Sequence, residues 1–419
     1  MEIKNIKNNN KGLNYYKTDE FATIDIRQYF NYENNKENFI KSLLLRNYLL
    51  KTNKKYKTHK QIIDKSRELY GLKVIISNYN FGIKSIICFE LKMVNPRIIE
   101  ENYFNDALNF YKDIMLKPNF IDNKLDKKIF NQIKKELIDR ERNNIKNPSI
   151  LSERLYYKNV LPNSIINNQI ITDINEFENI VNNINDNDII DFYNKLMESY
   201  ISSLAFGNLL DEEIKLIENS FNFSPINFDY KYDKKEKVSK EDIEIISKET
   251  SQSNIYFTYE IKNFKKENRY LYEVLMTMLN NSNGPIYNTY RTKLGIMYSG
   301  YAITLYKQGV IYIKVDIDKN NKDKAINGLK EIFDILNNKK ELKKLLEFAK
   351  EKTKEISISN SENLTASINE MEDYIFKLDF STDEKLKLTN KLTIEDIIKQ
   401  IENLEYKGTY FYKGDKDEK

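Results

Sequence analysis

Residues 20–30, Glu20-Phe-Ala-Thr-Ile-Asp-Ile-Arg-Gln-Tyr-Phe30, and residues 38–50, Asn38-Phe-Ile-Lys-Ser-Leu-Leu-Leu-Arg-Asn-Tyr-Leu-Leu50, read as a strand followed by a helix. The first is rich in β-branched and aromatic residues, which suit a pleated surface. The second carries Phe39, Ile40, Leu43, Leu44 and Tyr48 at helical spacing. The pair returns in the second half, as a strand over Ser253–Ile261 and a helix over Glu267–Leu279 with Leu271, Val274, Leu275, Met278 and Leu279 on one face.

The segments after each strand–helix pair also match. In the first half a hairpin is expected, Gly71–Ser77 and Ile83–Lys92 around Asn78-Tyr-Asn-Phe-Gly82. In the second half, strands are expected over Met297–Leu305 and Val310–Asp316. Helices come next, over Ile98–Leu116, Asp126–Asn144 and Ser149–Lys158 in the first half, and Asp323–Asn337, Glu341–Ser357 and Ser361–Phe376 in the second. A short strand closes each half, Ser202–Phe206 and Gly408–Tyr412. Thr58 is placed to cap a helix through Gln61. The shared order predicts an α+β chain of two homologous domains, each a largely antiparallel sheet with helices on one face. Two unrelated α+β domains are the alternative, which pattern alone does not separate. Apolar periodicity fades over 222–248, so the domains are expected at 1–221 and 249–419 with a linker between.

The chain has 419 residues, enough for two or three domains each with its own core, and 67 Lys+Arg against 63 Asp+Glu leave no strong field for nucleic acid or an anionic membrane. Tyr15-Tyr16 and Tyr156-Tyr157 stand near lysines, but no RNA-binding motif accompanies them. No apolar run is long enough for a transmembrane helix, and no leader-like apolar segment comes after Met1, so neither nucleic acid nor membrane is expected as a partner. The one cysteine, Cys88, forbids an intrachain disulfide and fits a reducing compartment, so a cytoplasmic location is expected. The one histidine, His59, reads as an exposed helix start; alone it cannot build a His₂Glu zinc site.

Several segments resemble the insulinase-like (pitrilysin) zinc peptidases. Ala107-Leu-Asn-Phe-Tyr-Lys-Asp-Ile-Met-Leu-Lys-Pro-Asn-Phe120 resembles that family's helix ending in a Pro-containing turn. Phe192-Tyr-Asn-Lys-Leu196 followed by Ser203-Leu-Ala-Phe-Gly-Asn208 resembles its closing segment, and Tyr290-Arg-Thr-Lys-Leu-Gly-Ile-Met-Tyr-Ser299 its Arg…Leu-Gly…Tyr segment. The likeness runs from about residue 12 to about residue 340 and implies half of a clamshell that closes around an unfolded peptide.

Active members carry His-x-x-Glu-His on the first long helix, where histidines one turn apart hold zinc and the glutamate acts on the metal-bound water. Aligned on Leu50-Lys-Thr-Asn53, those positions here are Leu43, Arg46 and Asn47. The position of the third ligand, a glutamate, falls near Arg140, with Glu136, Asp139 and Glu141 close by. The resemblance therefore implies a lost metal site, no catalytic residue in this chain alone and no cofactor of its own. It also implies that Arg291 and Tyr298 have the spacing of the pair with which active members hold the substrate carbonyl, two donors aimed where oxyanion charge develops. A substrate strand would add to the edge of the first sheet, with Lys84–Lys92 as candidate and an ordinary central strand as the alternative. The expected function is the non-catalytic subunit of a heterodimeric zinc metallopeptidase, with a zinc-bearing homologous partner and a peptide substrate. The alternative is a scaffolding member of the same family with no peptidase role.

Overall fold

Alternation of period two sorts the strands of this protein into two faces, and that sorting builds both halves of the chain. The computed structural model describes residues 5–9, 11–81, 84–228, 238 and 240–416. The chain divides into two units. One comprises Met1–Asn143, Asn168–Tyr232 and Met371–Leu378; the other comprises Asn144–Asn167, Asp233–Glu370 and Asp379–Lys419.

The first unit holds β1 (Lys7–Asn8), β2 (Leu13–Lys17), β3 (Thr23–Glu33), β4 (Lys73–Phe81), β5 (Lys84–Val94) and β6 (Tyr200–Gly207), in the order β1-β2-β6-β3-β5-β4. The second holds β7 (Ile243–Ser247), β8 (Gln252–Ile261), β9 (Ser299–Leu305), β10 (Val310–Asp318) and β11 (Leu404–Gly414), in the order β7-β11-β8-β10-β9. Without β1 the two orders are the same. The directions agree as well: β2 on β6 and β7 on β11 are the parallel pairs, and the other pairs are antiparallel. The expected architecture is thus present in both halves, and the repeated topology argues for duplication.

The helix side of the second sheet is apolar. Ile255, Phe257, Tyr259 and Ile261 of β8 and Ile311, Ile313, Val315 and Ile317 of β10 pack with Leu271, Leu275 and Met278 of the Arg269–Asn280 helix. The alternate residues build a tyrosine layer on the opposite face. Tyr256, Tyr312, Tyr410 and Tyr412 lie under Tyr156 and Val160 of the helix Pro148–Val160, which belongs to this unit. Tyr156 stacks on Tyr256 at 4.7 Å, and its hydroxyl lies 3.1 Å from Thr258 Oγ1. In the first sheet, Ile24, Ile26 and Phe30 are buried and Tyr111 of the helix Phe104–Leu116 donates to the Phe89 carbonyl at 2.8 Å. Segment Met371–Leu378 covers the opposite face, where Phe376 meets Tyr29 edge-on at 5.0 Å.

Some expectations are corrected. Lys84–Lys92 is no edge: β5 lies between β3 and β4, and β4 is the outer strand. Gly82 and Ile83 of the expected hairpin lie outside the described residues. The helix expected over Ile98–Leu116 is two, Pro96–Ile99 and Phe104–Leu116, because Glu100 turns left-handed at φ 55°. Of the linker expected at 222–248, residues 229–237 and 239 lie outside the described residues, and Ile243–Ser247 forms β7 by parallel pairing with β11. That pairing lies far away in sequence, so local periodicity did not announce it.

Candidate functional site

The first long helix, Lys36–Lys51, is started by Asn35, whose side chain accepts from the Asn38 N–H, and is ended by Thr52. Its buried face is Ile40, Leu43, Leu44, Leu45, Tyr48 and Leu49. Thr52 and Asn53 then meet the Pro-containing turn: Asn119 donates to Thr52 Oγ1 at 3.1 Å, and Tyr48 donates to the Asn119 carbonyl at 2.9 Å. The Pro118 segment thus locks the end of this helix.

Leu43 is 6% exposed and packed in the core, where a histidine would need a polar partner. Asn47 turns its amide back on its own helix, donating to the Leu43 carbonyl at 2.6 Å. Arg46 is half-buried; burial, and then the charge of Arg140, pull its guanidinium below its ordinary value. Arg140 is exposed on the helix Lys127–Lys146. A leucine, an amide and two cations cannot hold a divalent metal, so these positions do not fit zinc. The neighbouring carboxylates are engaged elsewhere. Glu136 pairs with Lys51 at 2.5 Å, Asp139 with Arg142 at 2.9 Å, and Glu141 is buried. Among the described residues no group of three or more His, Cys, Asp or Glu could hold a metal ion. His59 opens the helix His59–Glu68, exposed, with Nδ1 3.1 Å from the Leu50 carbonyl.

Arg291 and Tyr298 lie in the second unit on one continuous turn. Tyr287–Lys293 is a π-helix, a form common at functional sites. It is anchored by Tyr290, which is fully buried and donates to the Ala325 carbonyl at 2.9 Å. The Tyr290 carbonyl in turn accepts from Ile296 at 3.0 Å and Met297 at 3.3 Å, folding the chain back on itself. Gly295 makes that reversal at φ 63°, where a side chain is strained. Arg291 Nη1 donates to the Met297 carbonyl at 2.6 Å, which ties the guanidinium to the residue before Tyr298. The Tyr298 N–H donates to the Asp316 carbonyl at 2.9 Å, while its side chain is 66% exposed. Ser299 and Asn254 both donate to the buried Asp316 carboxylate. Sequence reasoning did not single out Asp316: an acidic residue at a strand end looks like solvated polarity until the register Asp316↔Ser299 is known. The turn thus holds the Arg291 guanidinium on the carbonyl of the residue before Tyr298, with a single hydrogen bond of its five N–H donors assigned to Met297, and leaves the Tyr298 phenol exposed.

The closing segment is explained by packing. Gly207, at φ 129°, would place a Cβ 2.9 Å from the Thr23 carbonyl, so only glycine lets β6 approach β3 there. The Asn208 carbonyl then accepts from Arg97, which also pairs with Glu213.

Residues 183–353 match the family described as the peptidase M16 inactive domain. No curated protein matches the chain in sequence. Among solved structures, a conserved protein from Enterococcus faecalis is 16% identical with a TM-score of 0.84, covering 99% of this chain and 100% of that one. A protease from Helicobacter pylori is 15% identical with a TM-score of 0.73, covering 97% and 98%. A peptidase M16 inactive domain from Pseudomonas fluorescens is 15% identical with a TM-score of 0.72, covering 99% of each chain. At such identities the structures speak for the fold, and the family match speaks for residues 183–353. Residues 183–353 are thus similar to the peptidase M16 inactive domain, and the chain as a whole shares the fold of the M16 inactive domain from Pseudomonas fluorescens.

Proposed function

We propose that this chain is the non-catalytic subunit of a two-subunit zinc metallopeptidase, supplying substrate contacts to a partner that carries the metal. The observation that carries the reading is the asymmetry between its two sites. The metal positions are filled by Leu43, Arg46, Asn47 and Arg140, yet Tyr298 stays 66% exposed beside an anchored Arg291. A large aromatic held out in solvent on a rigid turn costs burial that a core position would have gained. Arg291 and Tyr298 offer N–H and O–H donors to a peptide carbonyl and to the oxyanion it becomes. Zinc belongs to the partner in this reading, and the pair closes as two half-clamshells around the peptide. The free, buried Cys88 supports a cytoplasmic setting, and among the described residues no helix is long and apolar enough to cross a membrane. We place the join between the two homologous halves within 222–248.

The test is capture of the tagged full chain from its native organism, with zinc analysis of the eluate. A stoichiometric partner bearing His-x-x-Glu-His and about one zinc per pair is expected. In that complex, Arg291→Ala and Tyr298→Phe should each lower turnover by about 10²-fold or more, as loss of an oxyanion donor does, with assembly intact. A zinc-free assembly in which both variants are silent would establish the scaffolding role instead.

A further inference from the structure

The outer edge of the second sheet is β9, which pairs with β10 and has no strand on its other side among the described residues. In an antiparallel pair the backbone groups of successive residues turn alternately towards the partner strand and away from it. Ala302 turns away. Its N–H donates to Asn280 Oδ1 at 2.7 Å, and its carbonyl accepts from Asn280 Nδ2 at 2.8 Å. Gly300 and Thr304, two residues to either side, therefore present their N–H and C=O groups outward as well. One side-chain carboxamide thus stands where the peptide group of an added strand would stand, and it shows that this edge accepts an amide there.

Asn280 is placed to give way. It is the last residue of the helix Arg269–Asn280 and is exposed, so its amide can turn out to water. The helix end does not depend on it. Asn281 holds that end: its Nδ2 donates to the Met278 carbonyl at 2.8 Å, and its carbonyl accepts from the Gly284 N–H at 2.8 Å. Once Asn280 has left, the Ala302 N–H and C=O call for new partners. An extended peptide brings such a pair at every second residue, and so fits Gly300, Ala302 and Thr304 together.

We propose that β9 is a peptide-binding edge gated by Asn280: an extended peptide displaces the Asn280 side chain and adds to the sheet as a further strand. This rests on the reading that the chain handles peptides. Tyr298 directly precedes β9, and Gly300 lies two residues on, about 7 Å along an extended chain. A strand paired along β9 therefore runs up to the residue that carries the exposed phenol.

The test uses the full chain and a fluorescein-labelled peptide of Thr and Val with a Lys at each end, read by fluorescence anisotropy. Two further peptides are N-methylated at the odd or at the even residues. In an added strand only every second N–H faces the edge, so one methylated peptide should lose binding and the other keep it. Asn280→Ala removes the competing amide and should tighten binding of the parent peptide by about tenfold, the worth of two neutral hydrogen bonds. Thr304→Pro removes one outward N–H and leaves the ladder to β10, carried by Ile303 and Leu305, in place. It should weaken binding by about fivefold or more. Asn280→Ala keeps the test decisive should Thr304→Pro fold poorly. In amide hydrogen exchange, Ala302 of the Asn280→Ala chain should become protected when peptide is added. Equal binding by the wild-type and Asn280→Ala chains, loss with both methylated peptides or with neither, or protection confined to β4 overturns the site. Self-association of Asn280→Ala in sedimentation, with no peptide bound, assigns the edge to a second copy and overturns the peptide as its occupant. Absence of any peptide binding also overturns the proposal, whereas the split-peptidase reading is decided separately by capture of the partner and the turnover of the Arg291 variant.

Discussion

Arg27 lies on the face of the first sheet opposite its helices, among three carboxylates. It donates to Asp25 at 2.8 Å and to Glu372 at 2.7 Å, and it lies 3.3 Å from Glu90. Tyr29 also donates to Glu372, at 2.6 Å. Burial lowers the Arg27 pKa, but Asp25, Tyr29 and Glu372 outweigh it and hold the guanidinium above its ordinary value. Burial, and then the charge of Asp25, push Glu90 up to about 7. The unfolded chain releases that proton near the ordinary glutamate value, and the folded chain keeps it until about 7. Stability should therefore be highest below the ordinary value and fall as pH rises towards 7, by about 2 kcal/mol. Glu90→Gln should flatten that fall in urea titrations at pH 5 and pH 7.5; an unchanged slope would show that Glu90 is not the titrating group. Arg27→Met leaves the carboxylates without their cation and should cost about 3 kcal/mol or more at neutral pH, read as a shifted denaturation midpoint.

At the scale of elements, capping and close approach decide the boundaries. Thr58 and Gln61 form a reciprocal capping box, as expected from their spacing, and Thr58→Ala should cost about 1 kcal/mol. The turn that presents Arg291 and Tyr298 depends on Gly295. An added Cβ there meets nothing within 4 Å, so the cost of Gly295→Ala is the left-handed backbone alone, about 1 kcal/mol. A loss of partner-dependent turnover larger than the loss of stability would show that the turn positions the pair as well as supporting it. The helix Pro148–Val160 is held by the tyrosine layer: Tyr156 contacts Tyr256, Tyr312 and Tyr410, and Glu153 accepts from Tyr312 at 3.2 Å. Tyr156→Ala should cost about 3–5 kcal/mol, the range of a large buried aromatic.

For the whole molecule, each unit borrows a segment that lies outside its own half of the sequence. The second needs Asn144–Asn167 over its tyrosine face, and the first needs Met371–Leu378 over its charged face. Fragments cut at the sequence halves, 1–221 and 249–419, should therefore fail to fold independently. Circular dichroism should show no cooperative melting for 249–419 alone, because Tyr256, Tyr312 and Tyr410 lose their cover. A sharp transition for that fragment would mean that the apolar core on the other face suffices. The isolated full chain should hydrolyse no peptide, with or without added zinc.

What the sequence by itself determined was the local and repeated part. The two period-two strands and the helices after them are properties of neighbouring residues, and they settled the α+β class; the single histidine rules out a His₂Glu zinc site built from this chain alone. The spacing of Arg291 and Tyr298 was equally legible, and the short helix and glycine turn between them bring the Arg291 guanidinium onto the carbonyl of the residue before Tyr298. Tertiary structure alone decided the rest. That β4 and not β5 is the edge comes from β3 and β4 both pairing with β5, a choice made across the sheet. That Asp316 collects Ser299 and Asn254, and that Glu372 completes the Arg27 cluster, both join residues from separate elements. Such partners are selected by packing and desolvation, which act through space and leave no periodic trace along the chain.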